Sequence, residues 1–452
     1  MTKCHRVATI AMLGLGLMAT LVAAQSPFSK LADPQDPFFP SRLSAEGGKA
    51  IKTSHFEPPE DCRECHEQLF GQWEGGMHAN AWRDPAYTAL HQLGSRETEG
   101  LVDRYCVGCH APIAVLGGEV KPGQDFRVGE LSQKGVQCDF CHTVSGSKGI
   151  GNAAAISSPG PAKRGPFQDS ESPAHETSFS QLHTRAEFCG ACHDVYHPLN
   201  GLPLEKTYTE WYEGPYPGRG VKCQDCHMTP GVTRHQQNPG SAASMGPKRE
   251  HIWTHNIVGA NASMAALFGF KSHSEAALKR LKSAATLEIL TPSQAREGEM
   301  ATVRVKVSNV GAGHFLPTGL TESREMWLEL IVTGPGGEKL LHSGRIDEKG
   351  DIDPEAILYH TVFANAMGEP VGARVWEADH LLWDHRIPPL GYSLERFSFA
   401  VPAGFKGKCQ VEARLLYRSF PQALVNLLLG EKAPSWPIYE MARAEDYFQI
   451  TE

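Results

Sequence analysis

The chain has 452 residues, of which 43 are basic and 51 are acidic, so its net charge is −8 with neutral His. This length exceeds that of a small disulfide-stapled scaffold and allows two or three domains. No long basic stretch is present, which argues against nucleic acid as a main partner. The unusual counts are 12 Cys and 21 His, and the spacing of these residues decides the class of the protein.

Residues 1–24 have the pattern of a secretory signal peptide. Lys3 and Arg6 are positive, residues 7–19 are apolar, and small residues at 22–24 provide a cleavage site. A retained membrane anchor is the alternative, because the apolar run is nearly long enough to span a bilayer. The small residues favour cleavage, and no other stretch approaches 18 apolar residues. We therefore expect a periplasmic or extracellular protein without stable membrane insertion.

Five copies of the motif C-x-x-C-H dominate the first half of the chain. Eleven cysteines follow the signal region, and ten of them lie in these copies. The cysteines are Cys62, Cys65, Cys106, Cys109, Cys138, Cys141, Cys189, Cys192, Cys223 and Cys226, and the histidines are His66, His110, His142, His193 and His227. The motif attaches c-type haem, because two thiols bind the porphyrin vinyl groups and the next imidazole ligates the iron. We therefore predict five covalently attached haem c groups.

Other uses of paired cysteines explain the pattern less well. Structural zinc needs no His directly after each pair, and disulfides do not predict a His after every second Cys. Thioredoxin-like redox sites come singly, next to a βαβ pattern. The one cysteine left over, Cys409, lies in a strand-like stretch and is predicted to be an inert buried thiol. No side chain is assigned a catalytic role.

The rest of the chain predicts an α+β multidomain protein. Residues 25–55 are Pro-rich and indicate an extended arm or linker, with disorder as the alternative. Residues 56–285 form a loop- and helix-rich pentahaem cytochrome c domain, closed by one or two helices. Residues 286–420 alternate apolar and polar positions, which predicts an immunoglobulin-like β-sandwich. Residues 421–452 are interpreted as a C-terminal tail, with a short helix and then an irregular segment.

Each haem iron has a sixth position that decides what the haem does. A second His gives an electron-transfer haem, whereas an empty position permits substrate binding. Twenty His follow the signal region, and the five motif His leave 15 for this role. Bis-His ligation at most sites is therefore expected. The preferred distal candidates are His78, His175, His255 and His314, and the reserve candidates for the fifth site are His91, His183, His197, His235 and His251.

Several stretches resemble the multihaem cytochrome c family related to the tetrahaem cytochromes of ammonia oxidisers. They are residues 77–87, 187–195, 207–211, 220–228 and 255–261. Residues 311–319, around His314, resemble a box found in larger exported members with a C-terminal β-domain. The resemblance implies haem-to-haem electron transfer, with His78, His175, His255 and His314 as distal ligands. The fifth motif and the added β-domain depart from the tetrahaem members.

These observations predict an exported carrier that moves electrons along closely packed haems in periplasmic or extracellular respiration. Its partners would be donor and acceptor redox proteins. The first alternative is an oxidoreductase that acts on a small nitrogen or sulfur compound at one open haem. Pentahaem nitrite reductases have a catalytic haem on a motif ending in Lys, whereas all five motifs here end in His. The second alternative is a homo-oligomer, as a subunit of an extracellular cytochrome filament.

Overall fold

The computed structural model of this protein describes residues 31–430 and 433–452, so the predicted signal peptide lies outside the described residues. The helices are α1 (Pro59–Arg63), α2 (Glu67–Glu74), α3 (Met77–Asn80), α4 (Pro85–Glu97), α5 (Asp103–His110), α6 (Pro112–Leu116), α7 (Cys138–His142), α8 (Ala186–Gly190), α9 (Thr207–Tyr212), α10 (Cys223–His227), α11 (Ala262–Leu267), α12 (Lys271–Ala284) and α13 (Gln422–Leu429). The strands of the first part are β1 (Ser44–Ala45), β2 (Val144–Ser147), β3 (Ala155–Ser157), β4 (Ala162–Gly165), β5 (Glu176–Phe179), β6 (Val195–Tyr196) and β7 (Pro203–Glu205). Those of the second part are β8 (Ala285–Leu290), β9 (Gln294–Arg296), β10 (Met300–Asn309), β11 (Glu325–Thr333), β12 (Lys339–Ser343), β13 (Ile357–Leu358), β14 (Thr361–Ala364), β15 (His380–Asp384), β16 (Tyr392–Ala400), β17 (Gly407–Arg418) and β18 (Tyr439–Thr451). The predicted mixture of helix and sheet is confirmed.

The short helices of the first part present the C-x-x-C-H motifs. Three motifs are helical throughout, at the end of α5 and over the whole of α7 and α10. Residues i, i+3 and i+4 of a helix share one face. Both cysteines and the His of such a motif therefore point to the same side of a single helical turn.

The Pro-rich arm is packed against the first domain over its later residues. Phe38 and Leu43 are buried in the same core as α6, and β1 pairs with β3 in parallel. Arg42 donates to the carbonyl of Lys148 at 2.6 Å. Residues 38–45 of the predicted extended arm or linker therefore pack into the first domain, because their apolar side chains fill an interior position. The assignment of residues 25–55 as an arm or linker stays a prediction.

Two sheets of the second part enclose one apolar core. One sheet has the order β12-β11-β17-β18-β9, with β13 also paired to β11, and the other has the order β16-β10-β8. Alternate residues of β10 and β11, among them Val303, Val305, Leu328 and Leu330, are fully buried in this shared core. The predicted alternation therefore places two sheets face to face. The immunoglobulin-like type of this sandwich stays a prediction.

The C-terminal segment differs from its prediction. The helix is present as α13, but the segment predicted to be irregular contains β18, a 13-residue strand. It runs antiparallel to β17 and parallel to β9, so it lies inside the larger sheet. Residues 439–451 are therefore part of the β-domain and not a tail.

Two further features concern the described residues. Cys409 lies in β17 and is fully buried, and burial raises the pKa of its thiol to about 11. Within residues 31–430 and 433–452, no helix combines the length and apolar character needed to cross a bilayer.

Candidate haem-binding sites

One cavity brings the predicted attachment residues together. It has a volume of about 1470 Å³ and is lined by all ten motif cysteines and all five motif histidines. The distal candidates His78, His175, His255 and His314 line it as well. Residues from positions 62 to 314 thus converge on one interior space.

We number the sites I to V in the chain order of their motif histidines, His66, His110, His142, His193 and His227. Four motif His rings each face a second His ring across the cavity. The ring centroids are 6.5 Å apart for His66 and His175, 6.2 Å for His142 and His255, 6.1 Å for His193 and His78, and 6.5 Å for His227 and His314. All four preferred distal candidates are therefore placed opposite a motif histidine.

This spacing fits an iron between the two rings. Metal–imidazole bonds are about 2 Å long and a ring centroid lies roughly 1 Å behind its ligating nitrogen, so two imidazoles that share one iron have centroids about 6 Å apart. The four observed distances lie close to this value. The pairs also join distant parts of the chain, because His193 faces His78 and His227 faces His314.

Hydrogen bonds leave the correct ring nitrogen free for a metal. Four motif histidines have Nδ1 near a main-chain carbonyl, at 2.8 Å for His66, 3.0 Å for His110, 2.6 Å for His142 and 3.2 Å for His227. The distal candidates His175, His255 and His314 have the same contact at 2.9 to 3.0 Å. Because a carbonyl only accepts, Nδ1 carries the proton and Nε2 keeps its lone pair for iron.

Burial favours the neutral imidazole that a metal requires. Burial lowers the pKa of His78, His110 and His255 to about 4, and it lowers the pKa of His227 to about 3. These rings are therefore neutral at neutral pH. A neutral imidazole binds a metal without first losing a proton.

Site III has two histidines near its motif residue. The ring of His183 lies 5.9 Å from that of His142, which is close to the distance for His255. However, Nε2 of His183 lies 2.9 Å from the carbonyl of Cys141, and its Nδ1 lies 2.8 Å from the hydroxyl of Ser180. Both nitrogens of His183 are engaged, so His255 is the better ligand.

Site IV has a carboxylate beside its motif histidine. Oε1 of Glu205 lies 3.8 Å from Nδ1 of His193. Burial by itself would lower the pKa of His193, but the Glu205 carboxylate raises it to about 9. Sequence reasoning missed Glu205, because nothing in its position in β7 links it to a motif in another segment.

Site II lacks the paired arrangement of the other four. Among the described residues, the ring that contacts His110 is that of Tyr87, at a centroid distance of 3.7 Å. The Tyr87 hydroxyl is buried without a hydrogen-bond partner among the described residues. The reserve candidate His91 lies behind Tyr87, with ring centroids 5.7 Å apart, and its Nε2 lies 3.3 Å from Asp103.

The remaining reserve candidates are engaged elsewhere. Nε2 of His197 lies 2.9 Å from the carbonyl of Trp376. His235 and His251 contact each other at 4.7 Å, and Nδ1 of His251 accepts from the amide of Asn238. In the described part of the chain, no group of three or more His, Cys, Asp or Glu side chains forms a separate metal site.

Contacts between thiols of different motifs give the order of the sites. The side chain of Cys62 of site I contacts that of Cys138 of site III. Side-chain contacts also join Cys192 of site IV to Cys109 of site II, and Cys189 of site IV to Cys223 of site V. Electrostatic contact also links Cys141 of site III to both site IV cysteines. Site IV therefore neighbours sites II, III and V.

Comparisons with known proteins find one family model and several solved structures that this chain resembles. A family model described as cytochrome c554 and c-prime matches residues 61–143, a range that contains three of the motifs. The chain is similar to the penta-haem cytochrome c552 from Thermochromatium tepidum, with 21% identity and a TM-score of 0.61 over 87% of this chain and 99% of that chain. This similarity shows a shared fold.

A second solved structure, the CARDB domain of the PF1109 protein from Pyrococcus furiosus, matches 37% of this chain and 87% of its own at 11% identity. Its TM-score is 0.17. No curated protein matches the sequence.

Proposed function

We propose that the chain is an exported pentahaem electron carrier of the multihaem c-type cytochrome class, which the family-model match over residues 61–143 and the shared fold support. The observation that carries the proposal is the set of four His–His pairs 6.1 to 6.5 Å apart beside four attachment motifs. A haem with two axial His has no free position for a substrate and serves in electron transfer. When bound, each haem supplies a one-electron iron couple.

The side chains have defined roles in this proposal. The ten motif cysteines hold five haems, and the five motif His ligate the irons from the proximal side. His175, His255, His78 and His314 are the distal ligands at sites I, III, IV and V. The main-chain carbonyls that accept from Nδ1 orient the rings and prevent their rotation away from the metal.

The thiol contacts support a branched path for electrons. Sites I, III, IV and V follow one another, and site II joins at site IV. Because electron transfer slows steeply with distance, haems whose attachment cysteines touch exchange electrons faster than haems further apart. An electron that enters at site I therefore leaves through site V or site II after passing site IV.

The proposed export of the chain and the proposed kind of redox partner rest on its N-terminal signal pattern and on its charge. The signal pattern of residues 1–24 supports delivery to the periplasm or cell exterior. The net charge of −8 and the haem propionates favour donor and acceptor proteins with basic contact surfaces. We assign the immunoglobulin-like β-domain a structural role, since it supplies His314 to site V.

A second candidate function rests on site II. Among the described residues, no second His ring lies opposite His110, so a haem held there would have its sixth position open. A small nitrogen or sulfur compound could bind there, with electrons supplied or removed through site IV.

Spectra of the purified protein, with haem counted per chain, test both functions. We expect five haems, four of them low-spin, and carbon monoxide bound by one ferrous haem alone. Five low-spin haems without carbon monoxide binding would remove the second candidate and retain the carrier. Several high-spin haems would contradict the proposed ligation.

The carboxylate of Glu205 leads to a prediction about the midpoint potential of the haem at site IV. Glu205→Gln should raise the midpoint potential of one haem, because a carboxylate near Nδ1 makes the ligand more basic and stabilises ferric iron. Redox titration followed by absorption and electron paramagnetic resonance measures the change. Glu288→Gln, at an exposed carboxylate of β8 paired with Lys306, is the control and should leave all couples unchanged. If the Glu205 variant and the wild type have the same five midpoint potentials, this carboxylate does not tune the haem at site IV.

A further inference from the structure

His314 lies on a segment without regular secondary structure. Strand β10 ends at Asn309 and the next strand, β11, begins at Glu325. The Asn309 side chain donates to the carbonyl of His314 at 2.9 Å, which ties the segment to its own domain. This contact does not set the position of the ring relative to site V, because His227 belongs to the other domain.

A carboxylate of the haem domain binds the segment at two residues that follow His314. Oε2 of Glu210, in α9, accepts from the amide of Phe315 at 3.1 Å and from the hydroxyl of Thr318 at 2.7 Å. Thr207, at the start of α9, contacts the Thr318 hydroxyl at 2.8 Å. The residue directly after His314 is therefore held by α9.

A second residue of the β-domain neutralises this carboxylate. Arg386 donates to Oε1 of Glu210, and the two side chains are 3% and 2% exposed. Asp384 binds the same guanidinium through two contacts at 2.9 Å, and the guanidinium lies 5.1 Å from the centre of the Phe315 ring. A buried ion pair of this kind adds little to stability, but its geometry is demanding.

The start of α9 is also bound to site IV. The amide of Tyr208 donates to the carbonyl of His193 at 2.9 Å and to Asp194 at 2.8 Å. The same short helix thus contacts the main chain of the proximal ligand of site IV and the segment that bears the distal ligand of site V.

We infer that Glu210 is a positioning residue that, with Arg386, holds His314 at the iron of site V. The inference rests on the proposed ligation by His314 and adds the means by which a ligand from the β-domain reaches a haem of the other domain. It also gives a role to residues 207–211, which the electron-transfer assignment leaves without one.

The test is the spin state of the five haems in the full-length protein. Glu210→Ala should convert one haem to high spin and let one more ferrous haem bind carbon monoxide than in the wild type, and added imidazole should restore low spin. Glu210→Gln loses the charge that pairs with Arg386 but keeps an oxygen that accepts from Phe315 and Thr318. Because Asp384 still binds the guanidinium, this variant should keep that haem low-spin. Glu325→Gln is the matched control, because it breaks the buried ion pair with Arg418 away from His314 and should leave all spin states unchanged.

His314→Ala, measured in parallel, separates the two claims. If it leaves every spin state unchanged, the proposed ligation itself is wrong. If it produces a high-spin haem but Glu210→Ala does not, the positioning role of Glu210 is overturned and the ligation stands. Should Glu210→Ala fail to accumulate, Thr318→Val removes one donor and keeps the ion pair. One additional carbon monoxide-binding haem then supports the inference, and wild-type binding overturns it.

Discussion

Replacing His78 by Ala is expected to convert one haem in five from low spin to high spin while all five stay covalently attached. His78 lies on α3, and its ring centroid is 6.1 Å from that of His193. The site IV iron would lose its distal nitrogen but keep both thioether bonds and its proximal ligand. Because a lost axial His opens the sixth position, we also expect carbon monoxide and added imidazole to bind there.

His183→Ala is the matched control for this experiment. The His183 ring lies as close to a motif ring as the proposed ligands do, yet both of its nitrogens contact other groups. It should change no spin state. A His78 variant that keeps the wild-type number of low-spin haems, measured by electron paramagnetic resonance, would contradict the assignment of site IV.

Removing the haem of site IV should divide the electron path. In a variant with Cys189→Ala and Cys192→Ala we expect four haems per chain and a loss of most of the fast electron exchange between the others. The reason is that the thiols of site IV contact those of sites II and V and lie near site III. Fast reduction of one haem by a radical pulse, followed by the spectral changes of the rest, measures this exchange.

The matched control for the variant without the site IV haem is a variant that lacks the haem of site V. Cys223→Ala with Cys226→Ala also removes one haem, but site V touches only the end of the proposed path. Its four remaining haems should still equilibrate in a fast phase. Equal exchange kinetics in the two variants would refute site IV as the junction.

The attachment residues are predictable from the sequence because their geometry is local. A thiol at i, another at i+3 and an imidazole at i+4 lie on one face of a helical turn, as in α7 and α10. These three side chains therefore lie on the same side of one helical turn whatever the rest of the chain does, so the attachment site of a porphyrin can be predicted from the motif alone.

The distal ligands depend on contacts between distant segments. The candidates His78, His175, His255 and His314 could be selected because their surroundings resemble a family, but their partners could not be assigned from spacing. The pairing of His78 with His193 arises only when α3 packs beside the fourth motif. For the same reason Glu205 and Tyr87, which distinguish sites IV and II, were not predicted.

The C-terminal strand β18 is not predicted from the sequence because charged residues in its middle obscure the strand pattern. In β18, Met441, Phe448 and Ile450 are buried, but the middle of the strand is rich in charged residues and only partly covered. Exposed and covered residues alternate in β18, but Asp446 takes a covered position and interrupts the apolar pattern, while main-chain pairing with β17 and β9 holds the strand in the sheet. In the Pro-rich arm, the burial of Phe38 and Leu43 likewise depends on contacts with residues far along the chain, and these contacts cannot be predicted from the composition of the arm.

The intact mass of the purified, processed protein tests the central claim most directly. If ten cysteines hold five haems, the mass under denaturing conditions should equal that of the processed polypeptide plus five haem groups, with Cys409 as a free thiol. A mass that matches the bare polypeptide, from a host able to attach haem c, would contradict the account.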